Sequence, residues 1–146
     1  MDAKEEIGNA AESKANAAAG RGRPMKILVV DDEHEIVSVL TEYLEEIGFN
    51  VCGAETTKEA LDRLKAWTPD VLLTDVQMNG GGAASILQQL EKRSSAPHVL
   101  LMTGGALEWA QKAVREGKAC GVIEKPFTLD TLIHMIDSLD CRDSAA

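Results

Sequence analysis

Aromatic residues make up only 3% of the 146-residue chain, two Trp, two Phe and one Tyr, so a core must be built from aliphatic side chains. Cysteine is scarce as well. Cys52, Cys120 and Cys141 are odd in number, widely spaced and never in a CxxC pair. That excludes a disulfide framework and a structural zinc site, and predicts a reducing, cytoplasmic setting. No apolar stretch approaches membrane-spanning length, and no hydrophobic signal core opens the chain. Basic residues are outnumbered, 15 Lys and Arg against 24 Asp and Glu, for a net charge of −9. None of that charge comes from the first 24 residues, where Lys4, Lys14, Arg21 and Arg23 balance Asp2, Glu5, Glu6 and Glu12. The remainder is acidic, which argues against direct binding to nucleic acid or an anionic membrane.

Residues 1–24 are rich in Ala, Gly and charge, with Ile7 their only branched aliphatic residue. They cannot bury a face and read as a mobile tail, with a partner-binding arm as the alternative. Met25-Lys26-Ile27 also reads as a natural start. From there, short apolar runs alternate with helical patterns. Ile27–Val30 is a continuous run, followed by Ile36, Leu40, Leu44 and Ile47 at helical spacing, and Gly48 closes that helix. Phe49–Ala54 predicts a weaker second strand, and residues 57–67 a helix that Pro69 prevents from continuing. Val71–Leu73, Val99–Met102 and Val122-Ile123 predict three more strands. The helices after them carry Ile86, Leu87 and Leu90, then Leu107, Ala110 and Val114, then Leu129, Leu132, Ile133, Ile136 and Leu139. Thr128 suits the N-cap of the last helix, with Asp130 in its first turn. Five apolar strands alternating with five helices predict a doubly wound α/β domain, a parallel sheet covered on both faces.

Ligands of such a sheet bind outside the carboxyl ends of its strands, and the polar residues fall there. Strand one ends in Asp31-Asp32, strand three in Asp75, strand four in Thr103 and strand five in Lys125. Clustered carboxylates repel one another until a proton or a cation relieves them. Few protein oxygens plus waters suit Mg²⁺. The same edge can accept a phosphoryl group, with Asp75 as nucleophile, Thr103 as hydroxyl donor and Lys125 as cation.

KILVVDDE (Lys26–Glu33), the aspartate of LLTD, LMTG (Leu101–Gly104) and EKPF (Glu124–Phe127) together resemble the receiver domain of two-component response regulators. The resemblance runs from about Met25 to Leu139, with every motif in the family's order, and sets a receiver domain at 25–141 with a C-terminal end at 142–146. It implies a (βα)5 flavodoxin-like three-layer fold with strand order 2-1-3-4-5. It implies that Asp75 takes a phosphoryl group from a histidine kinase or histidine phosphotransfer protein. Asp32, Asp75 and the backbone carbonyl of Gln77 would hold Mg²⁺, with Asp31 acting largely through water. Lys125 would pair with Asp75 at rest and join a cis bond to Pro126. Thr103 would move toward the phosphoryl group, and Gly104 would keep access open. With no sequence after the last helix for an output domain, the resemblance implies a single-domain regulator that signals by binding a protein target and catalyses only its own phosphorylation and dephosphorylation.

Three departures stand out. Val122 occupies the place of the family's usual Tyr or Phe, so a ring swing cannot report the switch. Asn79 replaces the common proline, and Gly80-Gly81-Gly82 should loosen the loop after Asp75. Those glycines do not make a phosphate-cradling loop, because no GK[ST] follows. Two other functions stay open. One is a scaffold that works without phosphorylation, encouraged by Val122 and the glycine loop. The other is a haloacid-dehalogenase-type phosphatase, which requires DxD after strand one where this chain has Asp31-Asp32-Glu33. His34 reads as a solvated surface residue, and His98 and His134, without acidic or cysteine neighbours in sequence, receive no role. Trp67 and Trp109 should pack partly exposed helix ends, and Cys120 should fill core space.

Overall fold

A computed structural model describes residues 23–145, with side chains described through Leu139. The tail expected over 1–24 lies outside the described residues except for Arg23 and Pro24. Strands β1 (Lys26–Val30), β2 (Asn50–Ala54), β3 (Val71–Asp75), β4 (His98–Thr103) and β5 (Gly121–Glu124) pair in parallel in the order β2-β1-β3-β4-β5. Between and after them run helices α1 (His34–Glu46), α2 (Thr57–Ala66), α3 (Gly82–Leu90), α4 (Leu107–Arg115) and α5 (Leu129–Ala145). The fold is the flavodoxin-like three-layer sandwich that the motif order implies.

The alternation of side chains along β1 divides the core in two. Ile27 and Val29 pack with Leu40 and Leu44 of α1 and with Leu132 and Ile136 of α5. Leu28 and Val30 face the other way, against Leu64 of α2, Ile86 and Leu90 of α3, and Ala110 and Ala113 of α4. Both faces of the central strands are therefore covered, which is why their sequences are apolar without interruption. The edge strands differ. β2 has only Ala54 buried, and β5 only Ile123, so their hydrophobic signal is weaker.

Strand β3 runs two residues past its apolar stretch. Thr74 and Asp75 stay in register with Leu101 and Met102 of β4, so the polar group at the strand end is held by the sheet itself. One cap was expected from the sequence, Thr128, and a second, Thr56, was not. Thr56 accepts from the Glu59 amide at 3.0 Å to start α2, and Thr128 accepts from the Thr131 amide at 3.1 Å to start α5.

Asp70 ties down the opposite, amino-terminal edge of the sheet. Its Oδ2 accepts from the Lys26 amide at 2.8 Å and from Arg23 at 2.9 Å, while Oδ1 accepts from Arg23 at 3.1 Å. Its own amide donates to the Lys26 carbonyl, and its carbonyl accepts from the His98 amide. One residue thus joins the starts of β1, β3 and β4. Burial pushes the Asp70 carboxyl up, but Arg23 and the Lys26 amide outweigh it and hold the group below the usual carboxylate range. A depressed carboxyl stabilises fully above its unfolded pKa, and the contribution fades as pH falls through the folded value. Asp70→Asn keeps an acceptor for the Lys26 amide and removes the charge. Urea melts are expected to show a loss of about 0.5–1 kcal/mol at neutral pH after solvent screening, and a smaller loss at acid pH. An equal loss at both would contradict the charge argument.

Candidate functional site

The carboxyl ends of β1, β3, β4 and β5 bring Asp31, Asp32, Asp75, Thr103 and Lys125 to one rim. Ligand oxygens of Asp31, Asp32 and Asp75 all lie within 4.8 Å of one another. Their surroundings differ sharply. Asp31 is 0% exposed, Asp75 is 9% exposed and Asp32 stands open to solvent. Both Asp31 oxygens are engaged, Oδ1 by the Glu33 amide at 2.9 Å and Oδ2 by the Lys125 ammonium at 2.6 Å.

The pairing of Lys125 with Asp75 that the resemblance implies is present at 3.5 Å from Oδ1, and the ammonium sits closer still to Asp31, at 2.6 Å. The physical reason is burial. A wholly desolvated carboxylate needs a counter-charge more than one that still touches water. Lys125 is positioned from below as well, since its amide donates to the Thr103 carbonyl at 2.8 Å. The Lys125-Pro126 bond is cis, as implied.

Charge and burial act together on the titrating groups. Burial is the main cause that raises the Asp75 carboxyl, and repulsion from Asp31 and Asp32 adds to it, with Lys125 pulling the other way. For Lys125, burial works to lower the ammonium. Its hydrogen bond to Asp31 and the attraction of Asp75, Asp31 and Glu33 outweigh that and set it above its ordinary value. One cation facing three carboxylates leaves the rim short of positive charge, the condition that favours a divalent ion.

Thr103 is buried, and its hydroxyl accepts from the amides of Gly105 at 3.2 Å and Ala106 at 2.7 Å. It thereby holds the loop that leads into α4. A Cβ built on Gly104 meets nothing within 4 Å, so the approach beside Thr103 is open. Val122 is half-buried against the core on the side of α4, in company with Ala106 and Val114.

The loop after Asp75 is a built conformation. Gly80, Gly81 and Gly82 have φ of 85°, 105° and 56°, which L side chains rarely adopt. A Cβ on Gly82 would lie 2.5 Å from the Val76 carbonyl oxygen. That carbonyl accepts from the Ala83 amide at 3.2 Å and closes the loop. A further contact escaped the sequence reading. The Thr57 hydroxyl donates to the Asn79 carbonyl at 2.7 Å and accepts from the Gly82 amide at 3.1 Å. Its only signal was the doubled Thr56-Thr57 at a helix start, where one hydroxyl suffices for capping.

The histidines stay outside the cluster. His34 is exposed and pairs with Glu55 at 2.8 Å, which is the main cause that raises its pKa. His134 does have an acidic neighbour, Asp130 at 3.6 Å, which helical spacing places one turn away. His98 Nδ1 lies 3.6 Å from the Cys120 sulfur. Trp67 is half-buried at the end of α2, and Trp109 is exposed on α4.

The geometry agrees with what the chain is similar to. A family model described as the response regulator receiver domain matches residues 27–137. The DNA-binding transcriptional regulator NtrC of Klebsiella pneumoniae is 34% identical over 110 residues, covering 75% of this chain. This chain spans only 23% of that regulator's length. The crystal structure of a response regulator receiver domain protein from Clostridium thermocellum superposes with a TM-score of 0.74 at 31% identity, covering 83% of this chain and 98% of that one. The response regulator TrrA of Thermotoga maritima, solved in complex with Mg(2+)-BeF, gives a TM-score of 0.68 at 27% identity, covering 79% of this chain and 98% of that one. With fold order, rim residues and similarity in agreement, the chain belongs to the response regulator receiver family.

Proposed function

We propose that this chain is a phosphorylation switch in which Asp75 accepts a phosphoryl group from a histidine kinase or histidine phosphotransfer protein and thereby changes its binding of a protein target. The observation that carries the reading is the rim itself, a half-screened carboxylate at a strand end with a lysine, a hydroxyl and two further carboxylates around it. A carboxylate oxygen of Asp75 attacks the phosphorus of the donor phosphohistidine. The new P–O bond forms as the P–N bond breaks, and the histidine nitrogen leaves with the bonding pair. Hydrolysis by water returns the carboxylate and inorganic phosphate, so the chain catalyses only its own modification and its reversal. It is not an enzyme that turns over an external substrate.

The donor set fits a hard divalent cation, and the TrrA complex with Mg(2+)-BeF supports Mg²⁺ as that ion. Asp32, Asp75 and the Gln77 carbonyl would hold it, and Asp31, with both oxygens already engaged, would act through water. When bound, the ion neutralises charge on the transferring oxygens. Lys125 holds the Asp31 carboxylate at rest and has Asp75 within reach for the modified state. Thr103 donates its hydroxyl proton to a phosphoryl oxygen, and the movement toward that oxygen draws the hydroxyl off the Gly105 and Ala106 amides and releases the loop before α4. This readout needs no aromatic ring at Val122. Asp31, buried and hydrogen-bonded through both oxygens, suits the nucleophile of the phosphatase alternative less well than Asp75 suits that of a receiver.

An open groove of about 580 Å³ beside Lys125, lined by Ile36, Val39, Leu40, Pro126 and Phe127, offers the donor protein an apolar seat next to the acceptor. Among the described residues no helix is long and apolar enough to cross a membrane. Cys52, Cys120 and Cys141 are odd in number and widely spaced in the sequence, which suits a reducing compartment, and a cytoplasmic setting is part of this reading. The acidic surface favours protein partners over nucleic acid or membrane.

Incubation with acetyl phosphate and Mg²⁺ is expected to add one phosphoryl group by intact mass, with none on Asp75→Asn and none without Mg²⁺. Full labelling of Asp75→Asn would reassign the acceptor. No labelling of the wild type would favour the scaffold reading that Val122 encourages. Lys125→Ala is expected to accept label yet lose the change in amide hydrogen exchange over residues 103–107 that labelling produces in the wild type. An unchanged exchange response in that variant would remove Lys125 from the switch.

A further inference from the structure

We propose that Thr57, at the start of α2 and outside the rim, is a positioning residue that sets the loop carrying the Gln77 carbonyl and so tunes the affinity of the site for Mg²⁺. The inference rests on the receiver reading above and goes beyond it by naming a residue outside the rim.

Helix α3 begins without a cap of its own. Its N-cap residue is Gly81, which has no side chain to offer the first amides. Two distant acceptors substitute for it. The Val76 carbonyl takes the Ala83 amide, and the Thr57 hydroxyl takes the Gly82 amide from 25 residues away in sequence. The same hydroxyl gives its proton to the Asn79 carbonyl, so its donor and one of its acceptor sites are both in use. The segment from Gln77 to Gly82 leaves β3 at Val76 and is gripped by Thr57 at Asn79 and at Gly82. Gln77 lies within that segment, two residues after Asp75.

The contact is enclosed and closely fitted. Thr57 is only 2% exposed, and Gly82 is buried. A Cβ on Gly80 would come within 3.3 Å of the Thr57 Cβ, so the glycine run is what lets the loop lie against α2. Removing the hydroxyl leaves the Asn79 carbonyl and the Gly82 amide without this partner, in a loop whose positive φ angles only neighbours can hold. The loop relaxes, and the Gln77 carbonyl loses its fixed place relative to Asp75. Groups that orient metal ligands from outside contribute in just this way.

The test compares the wild type, Thr57→Val and Thr57→Ser at a temperature where all are folded, using MgCl₂ alone and calorimetric titration. Thr57→Val is expected to weaken Mg²⁺ binding about tenfold, the low end for outer partners of a metal site. Thr57→Ser is expected to restore it, and the Gly82 amide to exchange faster in the valine variant alone. A residue with a merely structural role would lower the melting temperature and leave the Mg²⁺ affinity of the folded protein unchanged. That result would overturn the proposal, as would a serine variant that binds as weakly as the valine one. If the valine variant fails to fold, Thr57→Ala removes the same hydroxyl and is read in its place. A wild type that neither binds Mg²⁺ nor takes label defeats the receiver reading itself, whereas a labelled wild type with an unaffected Thr57→Val defeats only the role of Thr57.

Discussion

Everything at the rim turns on one buried carboxylate. Asp31 has lost its water entirely and has two partners in exchange, the Glu33 amide and the Lys125 ammonium. A buried charge left unpaired would destabilise the fold by several kcal/mol, on the order of 3–5. The pairing therefore brings β1 and β5 to a common point across β3 and β4. It also holds the one rim cation among the described residues closer to Asp31 than to Asp75. Asp75, burdened by burial and by two like charges, is left with partial compensation at 3.5 Å. The resting site thus carries an unmet need for positive charge, which a divalent ion supplies in the function proposed above.

Much of this was legible in the chain. Three unbroken apolar runs announced the central strands because a parallel sheet between two helical layers permits no polar face, and the edge strands read weakly because one side stays partly wet. Asp31, Asp32, Asp75, Thr103 and Lys125 could be gathered in advance, since each closes a strand and all strands point the same way. Thr128 was visible as a cap through purely local geometry, whereas the Thr56 cap emerged only with the structure.

What stayed hidden depends on distance in sequence. Nothing local says that Lys125 favours Asp31 over Asp75, because the choice is made by relative burial within the folded rim. Asp70 is an ordinary loop aspartate in the sequence, yet it joins three strand starts through backbone groups that carry no residue signature. Thr57 meets Gly82 only because α2 and α3 lie side by side. The glycine run pointed to looseness when read alone. In its setting it is a set of positive φ angles that close approach demands, held from outside by one hydroxyl. The missed Asp130–His134 pair is different, since helical spacing was enough to find it.

The two loops that matter are both held at rest by threonine hydroxyls bonded to backbone, Thr103 before α4 and Thr57 after β3. Of the two, Thr103 alone stands on the rim, so in the proposed switch that hydroxyl moves off its amides to donate to a phosphoryl oxygen, while Thr57 stays as a fixed support. The central claim is this movement of Thr103, with Lys125 drawn from Asp31 in step while Mg²⁺ at the rim would meet the Asp31 charge in its place. A crystal structure with Mg²⁺ and beryllofluoride tests it most directly. The account predicts beryllofluoride on Asp75, with the Lys125 ammonium on fluoride instead of Asp31 and the Thr103 hydroxyl turned away from the Gly105 and Ala106 amides. Beryllofluoride on Asp75 with Lys125 still on Asp31 and Thr103 still bonded to both amides would contradict it.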